Sequence, residues 1–249
     1  MAWALVTGAA RRLGRVLAVS AARAGYDVVI HHRIHHGASP QDAEETLRLV
    51  REVGREGAIA GAELTDPASA PALIAASPGP LTLLVNCASV FGDDTIETLT
   101  PLSLELHWLT NLRAPVLLAQ AFAAALPKDG DGLIVNIIDQ RVWRLTPRNF
   151  SYTLTKAALW TATQTLAQAL APAIRVNAIG PGPTLPSVHQ GTRGFAAEAA
   201  AVPLGRGPDP EEIGAALAYL IDARSVTGQM IAVDGGQHLS WRTPDVIGG

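Results

Sequence analysis

Tyr152 and Lys156 stand four residues apart, and Asp139 precedes the tyrosine by thirteen. On a helix, residues four apart share one face, so this spacing brings the lysine ammonium toward the tyrosine phenol. A neighbouring cation favours phenolate and draws a group with a reference pKa of about 10 toward neutrality. A phenol tuned in this way hands a proton to a substrate and recovers it from solvent. Ionised Asp139 is an acceptor only, so it suits a substrate that presents N–H donors and would repel the oxyanion developing on a ketone. The chemistry implied is proton delivery to a polarised double bond, C=N in preference to C=O.

Two kinds of element must hold these groups: an apolar strand ending at Asp139 and a helix carrying the tyrosine and lysine. The strand is Leu133 to Ile138 and the helix runs from about Ser151 to Ala169. The rest of the chain alternates in the same manner. Strands are expected at Ala2 to Val6, Asp27 to Ile30, Gly57 to Ala62, Leu81 to Val85, Arg175 to Ile179 and Gln229 to Val233. Helices are expected at Arg15 to Ala24, Gln41 to Gly54, Leu104 to Leu126 and Pro210 to Ile221. Such alternation predicts an α/β fold, a single Rossmann-like doubly wound parallel sheet of about seven strands with helices on both faces. Residues 185–205 are rich in glycine, alanine and proline and read as a mobile substrate lid. No linker-like composition shift divides residues 1–249, which are expected to form one domain.

The first strand runs straight into Thr7-Gly8-Ala9-Ala10-Arg11-Arg12-Leu13-Gly14. Strand, glycine-bearing turn and helix N-terminus make a pyrophosphate site, with backbone N–H groups and the positive helix end facing the anion. The second strand ends in His31-His32-Arg33, where an NAD-binding unit would carry an acidic residue for the ribose 2′-hydroxyl. Arg33, with Arg11 or Arg12, instead offers positive charge to a 2′-phosphate, and the cofactor expected is NADP(H). Glu63 and Leu64 follow the third strand, where adenine would rest. Asn86-Cys87-Ala88-Ser89-Val90-Phe91 leaves the fourth strand at the sheet edge where ligands bind. His31, His32, His35 and His36 lack a carboxylate or cysteine in register, so no metal is expected.

Composition narrows the class. Hydrophobic residues make up 48% and charged residues 16%, which suits strands buried on both faces. A formal net charge of -3 gives no reason to expect a nucleic-acid partner. The single cysteine, Cys87, rules out an internal disulfide and fits a reducing compartment. With no visible signal peptide and no long apolar run, a cytoplasmic protein without a membrane partner is expected.

The glycine turn, the Asn86-x-Ala88 motif, Asn111, Tyr152 with Lys156, and Pro181-Gly182 after the sixth strand occur in the order of the short-chain dehydrogenase/reductase family, which the sequence resembles over nearly its whole length. The resemblance implies hydride transfer from a nicotinamide and a homotetramer. It implies that Lys156 bonds the nicotinamide ribose and that Asn111 holds a water in the proton relay. Gly8, Arg11, Arg12, Leu13 and Gly14 would then surround the pyrophosphate, and His32 with Arg33 the 2′-phosphate. Asn86, Ala88 and Ser89 would follow the cofactor along the cleft, and Pro181, Gly182 and Thr184 would meet the nicotinamide.

Three departures point to one branch. The family's middle glycine is Arg12, its usual catalytic serine is Asp139, and its Asn-Asn-Ala-Gly is Asn86-Cys87-Ala88-Ser89, with Phe91 two residues beyond. The combination is similar to the pteridine reductases and the related dihydromonapterin reductases. Membership there implies that Arg12 reaches toward cofactor phosphate and pterin, Ser89 bonds substrate or cofactor, Phe91 stacks on the pterin and Asp139 assists protonation through Tyr152. The residues agree independently: a 2-amino-4-oxo pterin ring offers N–H donors, and Phe91 gives it a flat apolar wall. The alternatives are a reductase of ketones or other planar carbonyls, and a protein that binds NADP(H) without chemistry.

Overall fold

The computed structural model describes residues 1–34, 40–186 and 191–241. Seven parallel strands form one sheet in the order β3-β2-β1-β4-β5-β6-β7. They are β1 (Trp3–Val6), β2 (Asp27–His32), β3 (Gly57–Gly61), β4 (Leu81–Asn86), β5 (Gly132–Ile137), β6 (Ile174–Pro181) and β7 (Met230–Val233). The chain order reverses between β1 and β4, which are hydrogen-bonded neighbours. A crevice opens at such a reversal beyond the C-terminal strand ends.

Alternation along each strand divides the apolar side chains between two faces. Val28 and Ile30 pack with Leu17 and Leu217 on one side, from α1 (Arg12–Arg23) and α8 (Pro210–Asp222). Val29, Leu5 and Leu84 pack with Leu73, Leu118 and Phe122 on the other, from α3 (Ser69–Ala75) and α5 (Ala114–Ala125). Burial on both faces explains the near-continuous apolar runs. Among the described residues no helix is long and apolar enough to cross a membrane.

Several bounds differ from the sequence reading for local reasons. The helix expected from Leu104 to Leu126 begins as α4 (Pro101–Trp108), because the Thr100 hydroxyl accepts the Ser103 N–H at 3.1 Å and Pro101 suits a first turn. A π turn at Leu109–Arg113, which contains Asn111, then separates it from α5. The short, alanine-rich α3 has no sequence signal of its own. α2 (Pro40–Glu52) and α6 (Phe150–Leu170) lie within a few residues of expectation. Part of the expected lid is helical, as α7 (Gly191–Ala200), while 187–190 fall outside the described residues. β2 runs on through both His31 and His32, two residues past the expected end at Ile30; His35 and His36 lie outside the described residues.

Two glycines are obligatory at the turn after β1. Gly8 has φ +67°, and a Cβ there would lie 3.0 Å from the Ala88 Cα. A Cβ on Gly14 would lie 2.1 Å from the Gly8 carbonyl oxygen, so α1 packs against the turn only without one. Thr7 ties this turn to the end of β4, its hydroxyl accepting the N–H groups of Cys87 and Ala88, each at 3.0 Å.

Candidate active site

A cleft of about 570 Å³ lies over the C-terminal ends of β1, β4, β5 and β6. Asp139 enters it from just beyond β5 and Tyr152 and Lys156 from the first turns of α6, where the sequence spacing puts them. The Tyr152 hydroxyl donates to the Asp139 Oδ2 at 3.0 Å. Asp139 also caps a short 3-10 turn at Gln140–Val142, its Oδ1 accepting the Arg141 N–H at 2.8 Å. Phe91 meets the Tyr152 ring edge-on, with centroids 4.8 Å apart.

Electrostatics corrects one expectation. The Lys156 ammonium donates to the Ile137 carbonyl at 2.7 Å and stands 5.6 Å from the centre of the Tyr152 ring. Burial pushes Lys156 down to about 8. Tyr152 is not drawn toward neutrality: burial first, and then the Asp139 carboxylate, raise it well above its ordinary value. Asp139 is itself raised by burial, against the opposing pull of the Arg141 guanidinium. Helical spacing foresees the approach of the lysine but not the desolvation that outweighs it. In this pair burial and the neighbouring carboxylate hold the phenol toward its protonated form.

The other candidates separate into wall and framework. Gly8, Arg11, Arg12, Leu13 and Gly14 line the cleft, as do His32, Arg33, Glu63 and Leu64. Arg33 Nε donates to Glu63 Oε2 at 3.0 Å, so the Glu63 carboxylate at this end of the cleft is paired with an arginine. Ala88, Ser89, Phe91, Pro181, Gly182 and Thr184 also face the cleft. Arg12, at φ +54°, adopts the backbone geometry usual for the glycine it replaces. Its guanidinium donates to the Pro186 carbonyl at 2.8 Å, across the cleft mouth, and not to Asp139 or Tyr152.

Two candidates belong to the framework. Asn86 does not face the cleft: its amide Nδ2 donates to Asn136 Oδ1 at 2.9 Å inside the sheet. Asn111 is fully buried. Its amide brackets Val90, accepting the N–H at 2.8 Å and donating to the carbonyl at 2.9 Å, and it also accepts the Ser89 hydroxyl at 3.1 Å. The Asn111 side chain therefore braces the loop after β4.

Sequence spacing alone does not single out Arg141, Gln140, Phe195, Glu198 or Gln237, all of which line the cleft. Gln237 Nε2 donates to Glu198 Oε1 at 3.0 Å and so ties the C-terminal segment to α7. His31 is a further omission. Its buried ring accepts the Gly8 N–H at Nδ1, 3.0 Å away, and lies 3.3 Å from the Ala62 carbonyl at Nε2. This geometry needs the neutral ring with its proton on Nε2, and burial takes its pKa down to about 4. Cys87, raised to about 11 by burial, is no nucleophile at neutral pH. Among the described residues no cluster of histidine, cysteine and carboxylate could hold a metal ion.

Fold and site together define a dinucleotide-dependent oxidoreductase, with the glycine turn at one end of the cleft and the hydrogen-bonded Asp139–Tyr152 pair at the other. A family model described as enoyl-(acyl carrier protein) reductase, of the short-chain dehydrogenase type, matches residues 8–238. The chain belongs to the short-chain dehydrogenase/reductase family. An uncharacterized oxidoreductase of Methylorubrum extorquens is 32% identical over 244 residues, covering 94% of this chain and 96% of that protein. Among solved structures, the FolM alternative dihydrofolate reductase 1 of Brucella suis, in complex with NADP, is 46% identical with a TM-score of 0.91, covering 98% of each chain. The corresponding Brucella canis protein, also with NADP, is 46% identical with a TM-score of 0.92, covering 98% of this chain and 96% of that one.

Proposed function

We propose that the protein is an NADP(H)-dependent reductase of a pterin-type C=N bond, in a dihydropteridine, dihydromonapterin or dihydrofolate. The observation that carries this reading is the Asp139 carboxyl group 3.0 Å from the Tyr152 hydroxyl in the cleft wall. Bound NADPH supplies the hydride for the ring carbon. The protein must supply one proton to the adjacent nitrogen. A phenolate left beside a carboxylate in a desolvated site is costly, and Tyr152 is already held protonated. The balanced route starts with the proton on Asp139: the carboxylic acid protonates the Tyr152 oxygen as the tyrosine proton passes to the ring nitrogen. That leaves a neutral tyrosine and an ionised aspartate, which solvent reprotonates. Arg33, His32 and Arg11 suit a 2′-phosphate, Lys156 a ribose hydroxyl, and Phe91 a flat ring.

The FolM neighbours, described as alternative dihydrofolate reductases with NADP bound, support both cofactor and substrate class. The same reading makes the protein a cytosolic homotetramer. Exposed Trp108 and Leu154, lining a groove of about 500 Å³ between α4 and α6, support self-association. The functional test is steady-state oxidation of NADPH, with NADH in parallel, against dihydrobiopterin, dihydromonapterin, dihydrofolate and a ketone panel. Preference for NADPH and a dihydropterin is expected. Turnover of ketones alone would remove the pterin assignment and favour the carbonyl reductase reading.

A further inference from the structure

We propose that Arg141 is a positioning residue for proton transfer, holding the Asp139 carboxyl group turned toward Tyr152 while fixing the two segments that face it. Arg141 approaches Asp139 from the side opposite the tyrosine. Its backbone N–H donates to Oδ1 at 2.8 Å and its Nε stands 3.9 Å from the same oxygen, which leaves Oδ2 for the Tyr152 hydroxyl at 3.0 Å. The aspartate is thereby polarised, one oxygen toward a fixed cation and the other toward the phenol.

The same guanidinium reaches two other segments. It donates to the Asn149 side chain, and Asn149 leads into α6 from a left-handed backbone with φ +53°. Asn149 Nδ2 in turn donates to the Gly92 carbonyl at 2.9 Å, beside Phe91. The Arg141 guanidinium carbon also lies 5.8 Å from the centre of the Phe91 ring, within range for a cation over an aromatic face. One side chain therefore links the end of β5, the loop after β4 and the first turn of α6. These segments carry the acid, the aromatic wall and the phenol. An arginine suits the post because its planar fork bonds in several directions while its charge is permanent.

Charge and position act together. The charged or titratable groups facing Asp139 are Arg141 on its own turn and Tyr152 and Lys156 from α6; Cys87, at the end of β4, faces the tyrosine and lysine. Burial raises the carboxyl group, and Arg141 is the first of the influences that lower it. Without the cation, Asp139 would hold its proton to higher pH and release it less readily to the tyrosine.

The proposal rests on the assigned proton route but not on the identity of the substrate, and its test keeps the two apart. Carboxyl ¹³C titration of aspartate-labelled protein, with the Asp139 signal identified by its loss in Asp139→Asn, needs no substrate. Arg141→Met should move that titration up by about one pH unit or more. The pH limb of kcat controlled by Asp139 should move in the same direction, and kcat should fall about 10- to 100-fold with the KM for NADPH little changed. Arg141→Lys, which keeps the cation, should hold both the titration and the limb near wild type. A methionine variant that leaves both in place overturns the proposal, and so does a lysine variant that shifts them as far as methionine does. Should the methionine variant lose its circular dichroism, Arg141→Gln replaces it under the same criteria. Absence of dihydropterin turnover in the wild type would sink the substrate assignment while leaving the carboxyl titration to decide the role of Arg141.

Discussion

Asp139→Asn isolates the proposed proton source with little change of shape. The native carboxylate accepts the Arg141 N–H with one oxygen and the Tyr152 hydroxyl with the other, at 2.8 and 3.0 Å. An asparagine has one acceptor and one N–H₂ donor. If its oxygen keeps the Arg141 N–H, the amide faces the tyrosine oxygen, which then receives a hydrogen bond and has no acid behind it. Loss of a positioned general acid costs about 10²- to 10⁴-fold in rate, or roughly 3–5 kcal/mol of barrier. Stability should move in the other direction or hardly at all, by about 1 kcal/mol, because a neutral amide escapes the desolvation that a buried carboxylate suffers. The pH dependence gives a second signature. The folded-state pKa of Asp139 lies above its unfolded value. Its contribution to stability is thus complete below the unfolded pKa and is lost as pH rises through the folded one. The same titration removes the proton source, so wild-type kcat should fall across that window and the variant's should be flat there. Single-turnover stopped-flow with NADPH measures the chemical step, and fluorescence titration measures cofactor affinity, which should stay within about twofold. A variant with near-native single-turnover rates would refute the proton route, whatever its stability.

Two further outcomes concern the scaffold. His31 has its pKa reduced from 6.5 to about 4, so the unfolded chain binds the extra proton between those values and stability rises with pH there. Urea unfolding should show the wild type losing on the order of 3 kcal/mol more than His31→Gln between those pH values; a constant difference between the two proteins would remove His31 as the neutral brace of the Gly8 turn. Trp108→Glu places a charge in the apolar groove between α4 and α6. Sedimentation velocity should show a tetramer giving way to smaller species, whereas a wild type that sediments as a monomer would dispose of the assembly.

The parts of the site legible in the sequence are those fixed by local periodicity. Tyr152 and Lys156 share a helix face, Asp139 follows an apolar strand, and Gly8 and Gly14 sit where a turn and a close helix approach need them. The parts that were hidden depend on neighbours distant in sequence. His31 reads as part of a polar strand end, yet alternation turns it inward to meet Gly8, 23 residues away. Asn111 gives no sign that both ends of its amide are committed to Val90. Arg141 becomes informative only once Asn149 and Phe91 are known to converge on it.

The reversal at Tyr152 bears most directly on substrate choice. A lysine-tuned phenolate would serve carbonyl and imine reduction alike, since it needs only a partner that takes up its proton. A phenol kept neutral by burial and by a carboxylate gives up its proton only when another replaces it. On the proposed route, that requirement makes Asp139 part of the reaction and not merely of the binding site. Hydride addition leaves negative charge on the oxygen of a ketone or the nitrogen of a C=N bond, and in either case the relayed proton neutralises it as O–H or N–H. On that route a pterin suits the site through the N–H donors it carries beyond the reacting bond, which the carboxylate accepts once its proton has passed on.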